Sequence, residues 1–95
     1  MLGDYDGDRY LVSMLGENAD WVRNVRASGE AVLHRRGRRA VRLEEIPPER
    51  RAPILHAYYQ RAAGARPHFG VSPHPAVEEF EPIAARHPVF RIIET

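Results

Sequence analysis

Five histidines, His34, His56, His68, His74 and His87, are the residues of this chain that most readily suggest metal chemistry. A helical zinc motif needs two of them at i and i+4, and no pair here has that spacing. His68 and His74 share one proline-rich loop, which is a weak signal. The carboxylate pairs Glu44-Glu45 and Glu78-Glu79 suggest general acid–base work. On a strand, however, neighbouring side chains point to opposite faces, so Glu44 and Glu45 do not form a dyad, and solvated surface is the expectation for both pairs. Arg35, Arg36, Arg38, Arg39 and Arg42 crowd what reads as a hairpin tip, where they could meet phosphate. No aromatic residues interleave them in the way single-stranded RNA recognition requires, and Glu30, Glu44 and Glu45 are near to balance them. Ser13 has no Gly-x-Ser-x-Gly frame, Tyr58 and Tyr59 read as core, and no glycine-rich phosphate loop occurs.

These residues need elements to position them. Gly3, Asp4, Asp6, Gly7 and Asp8 are turn chemistry. Tyr10 to Leu15 reads as a buried strand that Gly16 ends. Asn18 is the expected N-cap of a short helix over Ala19 to Ala27, with Asp20 in its first turn. Trp21, Val22 and Val25 form its apolar face, Arg23 and Arg26 lie on the other side, and Ser28-Gly29 stops it. Glu30 to Arg35 and Arg38 to Glu45 make a hairpin around Arg36-Gly37, and Val41 and Leu43 alternate with Arg42 and Glu44 as a half-buried strand should.

Ile46-Pro47-Pro48 breaks that sheet. A helix is expected over Glu49 to Ala63, with Pro53 tolerated near its start or marking a restart, and Leu55, Tyr58, Tyr59 and Ala62 on one face. Gly64 to Pro75 reads as a loop, Ala76 to Arg86 as a helix with Val77, Phe80 and Ile83 on one side, and Val89 to Ile93 as a strand buried on both faces. Paired strands with segregated helices predict an α+β fold around a mostly antiparallel sheet or small barrel, a single domain over residues 1–95.

Composition narrows the function classes. Ninety-five residues form one small domain that buries roughly 60–65% of its unfolded surface. Cysteine is absent, so there is no disulfide, thiolate metal site or cysteine nucleophile. Every basic side chain is Arg. The net charge is only +1, which argues against a nucleic-acid binder. No apolar run is long enough for a membrane span, the first residues do not read as a secretory signal, and a cytoplasmic address is expected.

The stretch from Tyr10 to Ala27, YLVSMLGENADWVRNVRA, resembles the deazaflavin-dependent nitroreductase family. In that family a strand ends in small residues and Ser, a Gly turn follows, and a helix carries Trp-x-x-Asn with a basic residue before a hairpin. Here those positions are Ser13, Gly16, Trp21, Asn24 and Arg26. The likeness continues through IPPERRAPILHAYY (46–59), RPHF (66–69), EEFEPIA (78–84) and HPVFRI (87–92). The resemblance implies a split β-barrel similar to flavin-binding pyridoxine-phosphate-oxidase-like domains, with short flanking helices. It also implies a homodimer and coenzyme F-420, ahead of FMN, as cofactor. By position, Ser13, Met14, Leu15, Gly16 and Asn24 would line the cofactor, and Ser13, Trp21 and Tyr59 would wall the pocket of a small-molecule acceptor. No catalytic residue is assigned, since hydride transfer needs no protein nucleophile.

Two departures accompany the resemblance. Family sequences usually begin earlier, with a Thr-x-Gly-Arg-x-Ser-Gly-like segment whose basic residues hold the cofactor phosphate, so this chain reads as N-terminally short. Met14 and Leu15 stand where Lys or Arg is common, and charge-assisted contacts of about 1.5–3 kcal/mol each are lost with them. The expected activity is hydride transfer from reduced coenzyme F-420 to quinone-like or nitro-aromatic acceptors. The rivals are a non-catalytic module holding a cofactor or lipid-like ligand, and an Arg-rich interaction domain. Neither nucleic acid nor a membrane span is expected.

Overall fold

The computed structural model describes residues 2–34 and 37–93. The strands β1 (Leu2–Tyr5), β2 (Asp8–Val12), β3 (Glu30–His34), β4 (Arg38–Glu45) and β5 (Val89–Ile93) form one antiparallel sheet in the order β1-β2-β5-β4-β3. Two helices, α1 (Asp20–Ser28) and α2 (Ala52–Arg61), connect its parts. The fold is therefore α+β. Strand β5 is central, pairing with β2 on one side and β4 on the other, while β1 and β3 are the outer strands.

The expected turn at the N-terminus is a hairpin. Asp6 and Gly7 both have positive φ, 50° and 84°, as a type I′ turn requires, and they fold Leu2–Tyr5 onto Asp8–Leu11. The strand expected over Tyr10–Leu15 accordingly starts earlier and ends at Val12. Alternation along β2 sends Tyr10 and Val12 to one face and Leu11 to the other, so the sheet has two cores. The larger lies under α2, where Leu55, Tyr58 and Tyr59 meet Val12, Val89, Phe69 and Phe80. The smaller lies under α1, where Val22 and Val25 cover Leu11, Val41, Leu43, Phe90 and Ile92.

Helix α1 keeps its expected length, shifted by one residue, and the later helical segments are shorter than expected. Helix α1 begins at Asp20 with Ala19 as its N-cap and no side-chain cap, so Asn18 does not take that role, and it ends at Gly29. The helix expected over Glu49–Ala63 is a 3-10 turn, Pro48–Arg50, followed by α2. Pro53 lies in the first turn of α2, where a missing N–H is harmless. Ala63–His68, inside the expected loop, forms a further 3-10 turn. The helix expected over Ala76–Arg86 is two 3-10 turns, Val77–Phe80 and Ala84–Arg86. Pro82 lies between them and removes the donor a continuous α-helix would need. No helix among the described residues is long and apolar enough to cross a membrane.

Candidate functional site

Where β2 leaves the sheet, the chain makes a tight turn. Ser13 is 1% exposed, and its Oγ donates to the Gly16 carbonyl at 2.6 Å. Its backbone N–H donates to the Pro88 carbonyl at 2.9 Å, and its own carbonyl lies 3.0 Å from Nδ1 of His87. Gly16 has φ 101°, a conformation that side chains disfavour, and a Cβ placed there would lie 3.5 Å from the Arg86 carbonyl. The turn thus rests on the segment 86–88. Met14 is half-buried against the larger core, and Leu15 projects outward with 71% of its surface exposed.

Helix α1 follows directly. Trp21 lies at the border between its buried stripe and its exposed side, half-buried, with its ring meeting Phe90 edge-on at 5.6 Å. Asn24 is exposed three residues on, on the same side of the helix as Trp21. Glu17 reaches back to Arg26 at 3.7 Å. Arg26 also makes a forked pair with Glu45 at the end of β4, Nε to Oε1 at 3.0 Å and Nη2 to Oε2 at 2.7 Å. The Leu15 turn is tied to the 86–88 segment through Ser13, and α1 is tied to the end of β4 through Arg26.

Ser13, Met14, Leu15 and Gly16 stand together in the turn, and Trp21 and Asn24 share one side of α1. Tyr59 does not join them. It is buried under the opposite face of the sheet, with its hydroxyl donating to the Ser72 carbonyl at 3.3 Å and its ring packed against Phe69 and Phe80. A pocket walled by both Trp21 and Tyr59 would have to pass through the sheet. Three described grooves, of about 410–500 Å³, also lie away from Trp21 and Asn24.

The arginines expected at one hairpin tip are divided. Arg35 and Arg36 lie outside the described residues. Arg38 and Arg42 fall on one face of β4 and Arg39 on the other. Arg91, central on β5, pairs with Glu44 at 3.2 Å. Among the described residues no group of three His, Cys, Asp or Glu side chains is arranged to hold a metal ion.

One polar centre was not foreseen. Arg51 is 3% exposed, yet each of its arms has a partner: Nε donates to the Ile46 carbonyl at 2.7 Å, Nη1 to the Ala84 carbonyl at 2.9 Å and Nη2 to Glu45 at 2.8 Å. Glu45 thus joins Arg26 under one face to Arg51 under the other. The Arg26 hydrogen bond is the largest influence holding the Glu45 carboxyl below its ordinary value, and Arg51 adds to it. The signal available in sequence was Glu45 at a strand end just before Pro47-Pro48, with arginine on either side of the break. Glu79 is a second such residue, accepting from the Ser72 and Ala76 N–H groups and the Ser72 hydroxyl, which closes the loop before Val77.

Comparison with family models, with curated proteins and with solved structures finds no match to this chain.

Proposed function

We propose that this chain is a deazaflavin-dependent oxidoreductase that passes a hydride from reduced coenzyme F-420 to a quinone-like or nitro-aromatic acceptor. What supports the reading is the set of groups that residues 13–24 present: a half-buried aromatic at Trp21, an exposed aliphatic at Leu15, an exposed carboxamide at Asn24 and a tight turn made by Ser13 and Gly16; in this reading they act as one shelf. These groups suit the ring end of a planar heterocycle. Trp21 and Leu15 offer apolar surface to its faces, and the Asn24 side chain offers two donors and an acceptor to its polar edge. Arg23, exposed on the same helix, is the cation α1 offers to an anionic side arm.

The cofactor, when bound, supplies the hydride. The chain's part is to orient the ring and keep water from it. In this reading the sheet belongs to a split β-barrel, and a second copy covers the open side of the shelf. Ser13 shapes the turn, since its hydroxyl is already given to Gly16.

That same inward hydroxyl favours a second reading, a module that holds cofactor or a lipid-like ligand without turnover, because a group expected beside the reacting centre is committed elsewhere. A fluorescence titration with coenzyme F-420 tests both. Saturable binding, at least tenfold weaker for Trp21→Ala or Asn24→Ala, with reduction of a quinone acceptor, supports the enzyme. Binding without reduction of any quinone or nitro-aromatic acceptor supports the module. Absence of binding by folded chain removes the enzyme and the cofactor-holding module.

A further inference from the structure

The segment His87-Pro88 takes both backbone groups of Ser13, the carbonyl through the His87 ring and the N–H through the Pro88 carbonyl. A carbonyl oxygen can only accept, so Nδ1 carries the proton and Nε2 is left as the basic nitrogen. The ring is 7% exposed and sits edge-on to Phe69, with centroids 4.7 Å apart. Phe69 in turn packs on Tyr58, Tyr59 and Phe80, so the imidazole is the polar end of an aromatic cluster.

We infer that His87 is a positioning residue for the Ser13–Gly16 turn, and that its protonation releases the turn while the rest of the sheet stays folded. The neutral ring suits its site: one N–H, one acceptor facing it, and hydrocarbon around the remainder. The charged ring does not. Among the described residues the charged and titratable groups acting on it are Arg86, from its own segment, and His68, from the 63–68 turn, and both oppose a second positive charge. The Ser13 carbonyl favours the cation, but loss of hydration outweighs it, and the basicity of His87 falls below the ordinary histidine value of 6.5.

The sign of the pH effect follows. With the folded value depressed, the contribution of His87 is fully present above the unfolded value near 6.5 and is lost as pH falls through the folded one. A protonated ring regains hydration by swinging to water. The Ser13 carbonyl then keeps the long bond from the Gly16 N–H, 3.4 Å, but loses the His87 ring, so the turn that Ser13 and Gly16 close loses a tie to the 86–88 segment. The release concerns the turn whether or not it touches a cofactor. Only its effect on binding at the shelf rests on the function proposed above.

The test is an NMR titration of the cofactor-free chain from pH 8 to pH 4, reading the His87 ring, the Ser13 and Gly16 amides and far-UV circular dichroism. The Gly16 amide should shift with the same midpoint as the His87 ring, below pH 6.5. The protection of the Ser13 amide, its exchange rate relative to the intrinsic rate at each pH, should fall about five- to tenfold through that midpoint, the loss expected for about one hydrogen bond. In His87→Gln, which keeps a donor and cannot titrate, both responses should be absent. A Gly16 amide that ignores the His87 midpoint overturns the inference, as does one that shifts identically in His87→Gln. Loss of far-UV signal at that midpoint also overturns it, because the proton would then unfold the domain and not the turn. The wild-type coincidence decides the matter even if the variant does not fold.

Discussion

The face of the sheet under α2 and the face under α1 draw on neighbouring residues of the same strands and acquire different interiors. Under α2, Tyr58, Tyr59, Phe69 and Phe80 meet edge-to-face at centroid distances of 5.7–6.2 Å, with Leu55, Val12 and Val89 filling the space between them. Under α1, a nine-residue helix contributes Val22 and Val25 as its buried residues, and Trp21 reaches Phe90 from the border. The first face is deep enough to carry the stability of a small domain. The second leaves Trp21 at the border of the core and Asn24 exposed beyond it. The division of labour explains why the proposed shelf lies on the thinner side.

The most severe way to break that comparison is Phe80→Ala. The ring is fully buried and touches three other rings, so about 3–5 kcal/mol should be lost, lowering Tm by about 12 °C or more. Arg51→Met comes next. It keeps the apolar stem but orphans the Ile46 and Ala84 carbonyls, and about 2–4 kcal/mol should disappear from urea unfolding with an unchanged m-value. Val22→Ala on the thinner face should remove about 2 kcal/mol, two methyl groups with a small cavity, and a loss as large as that of Phe80→Ala would erase the distinction between the faces.

The smallest effect concerns Glu45, which links them. Its carboxyl is depressed first by the Arg26 hydrogen bond, so its contribution is present above the ordinary value of 4.5 and is lost as pH falls through the folded value. The gap in urea midpoint between wild type and Glu45→Gln should narrow in acid, and more so in low salt, since the side chain is 32% exposed. A gap that stays constant between pH 6 and pH 3 would show that Glu45 holds the faces together by shape and not by charge.

How much of this was readable beforehand differs from segment to segment. Strands β3, β4 and β5 and the end of α1 at Gly29 follow from alternation, apolar runs and glycine placement, which are local signals. Strand β1 was hidden, because an outer strand of four residues, with Leu2 and Tyr5 exposed beside Gly3 and Asp4, has no dry face to reveal it. Gly3 is there for a tertiary reason: a Cβ would come 3.1 Å from the Tyr58 ring, so glycine lets α2 approach. Ser13, Met14 and Leu15 read as the end of a strand, and in the structure they lie in the turn after Val12. The inward hydrogen bond of Ser13 and the placement of Tyr59 on the far face depend on which face of the sheet α2 covers, and no local pattern encodes that. Arg51 and Glu45 read as surface residues because arginine and glutamate usually are, and only the meeting of three segments buries Arg51 and half-buries Glu45.

The central place of β5 has a consequence for how the chain is made. Residues 89–93 are near the end of the sequence, yet they join the β1–β2 hairpin to the β3–β4 hairpin. Until they leave the ribosome, a nascent chain holds two separate hairpins, neither of which has enough partners to persist in water. The sheet therefore cannot close until residues 89–93 have been made. For that interval Leu11, Val12, Val41 and Leu43 lack the strand that covers them, and chaperone dependence should be greatest then.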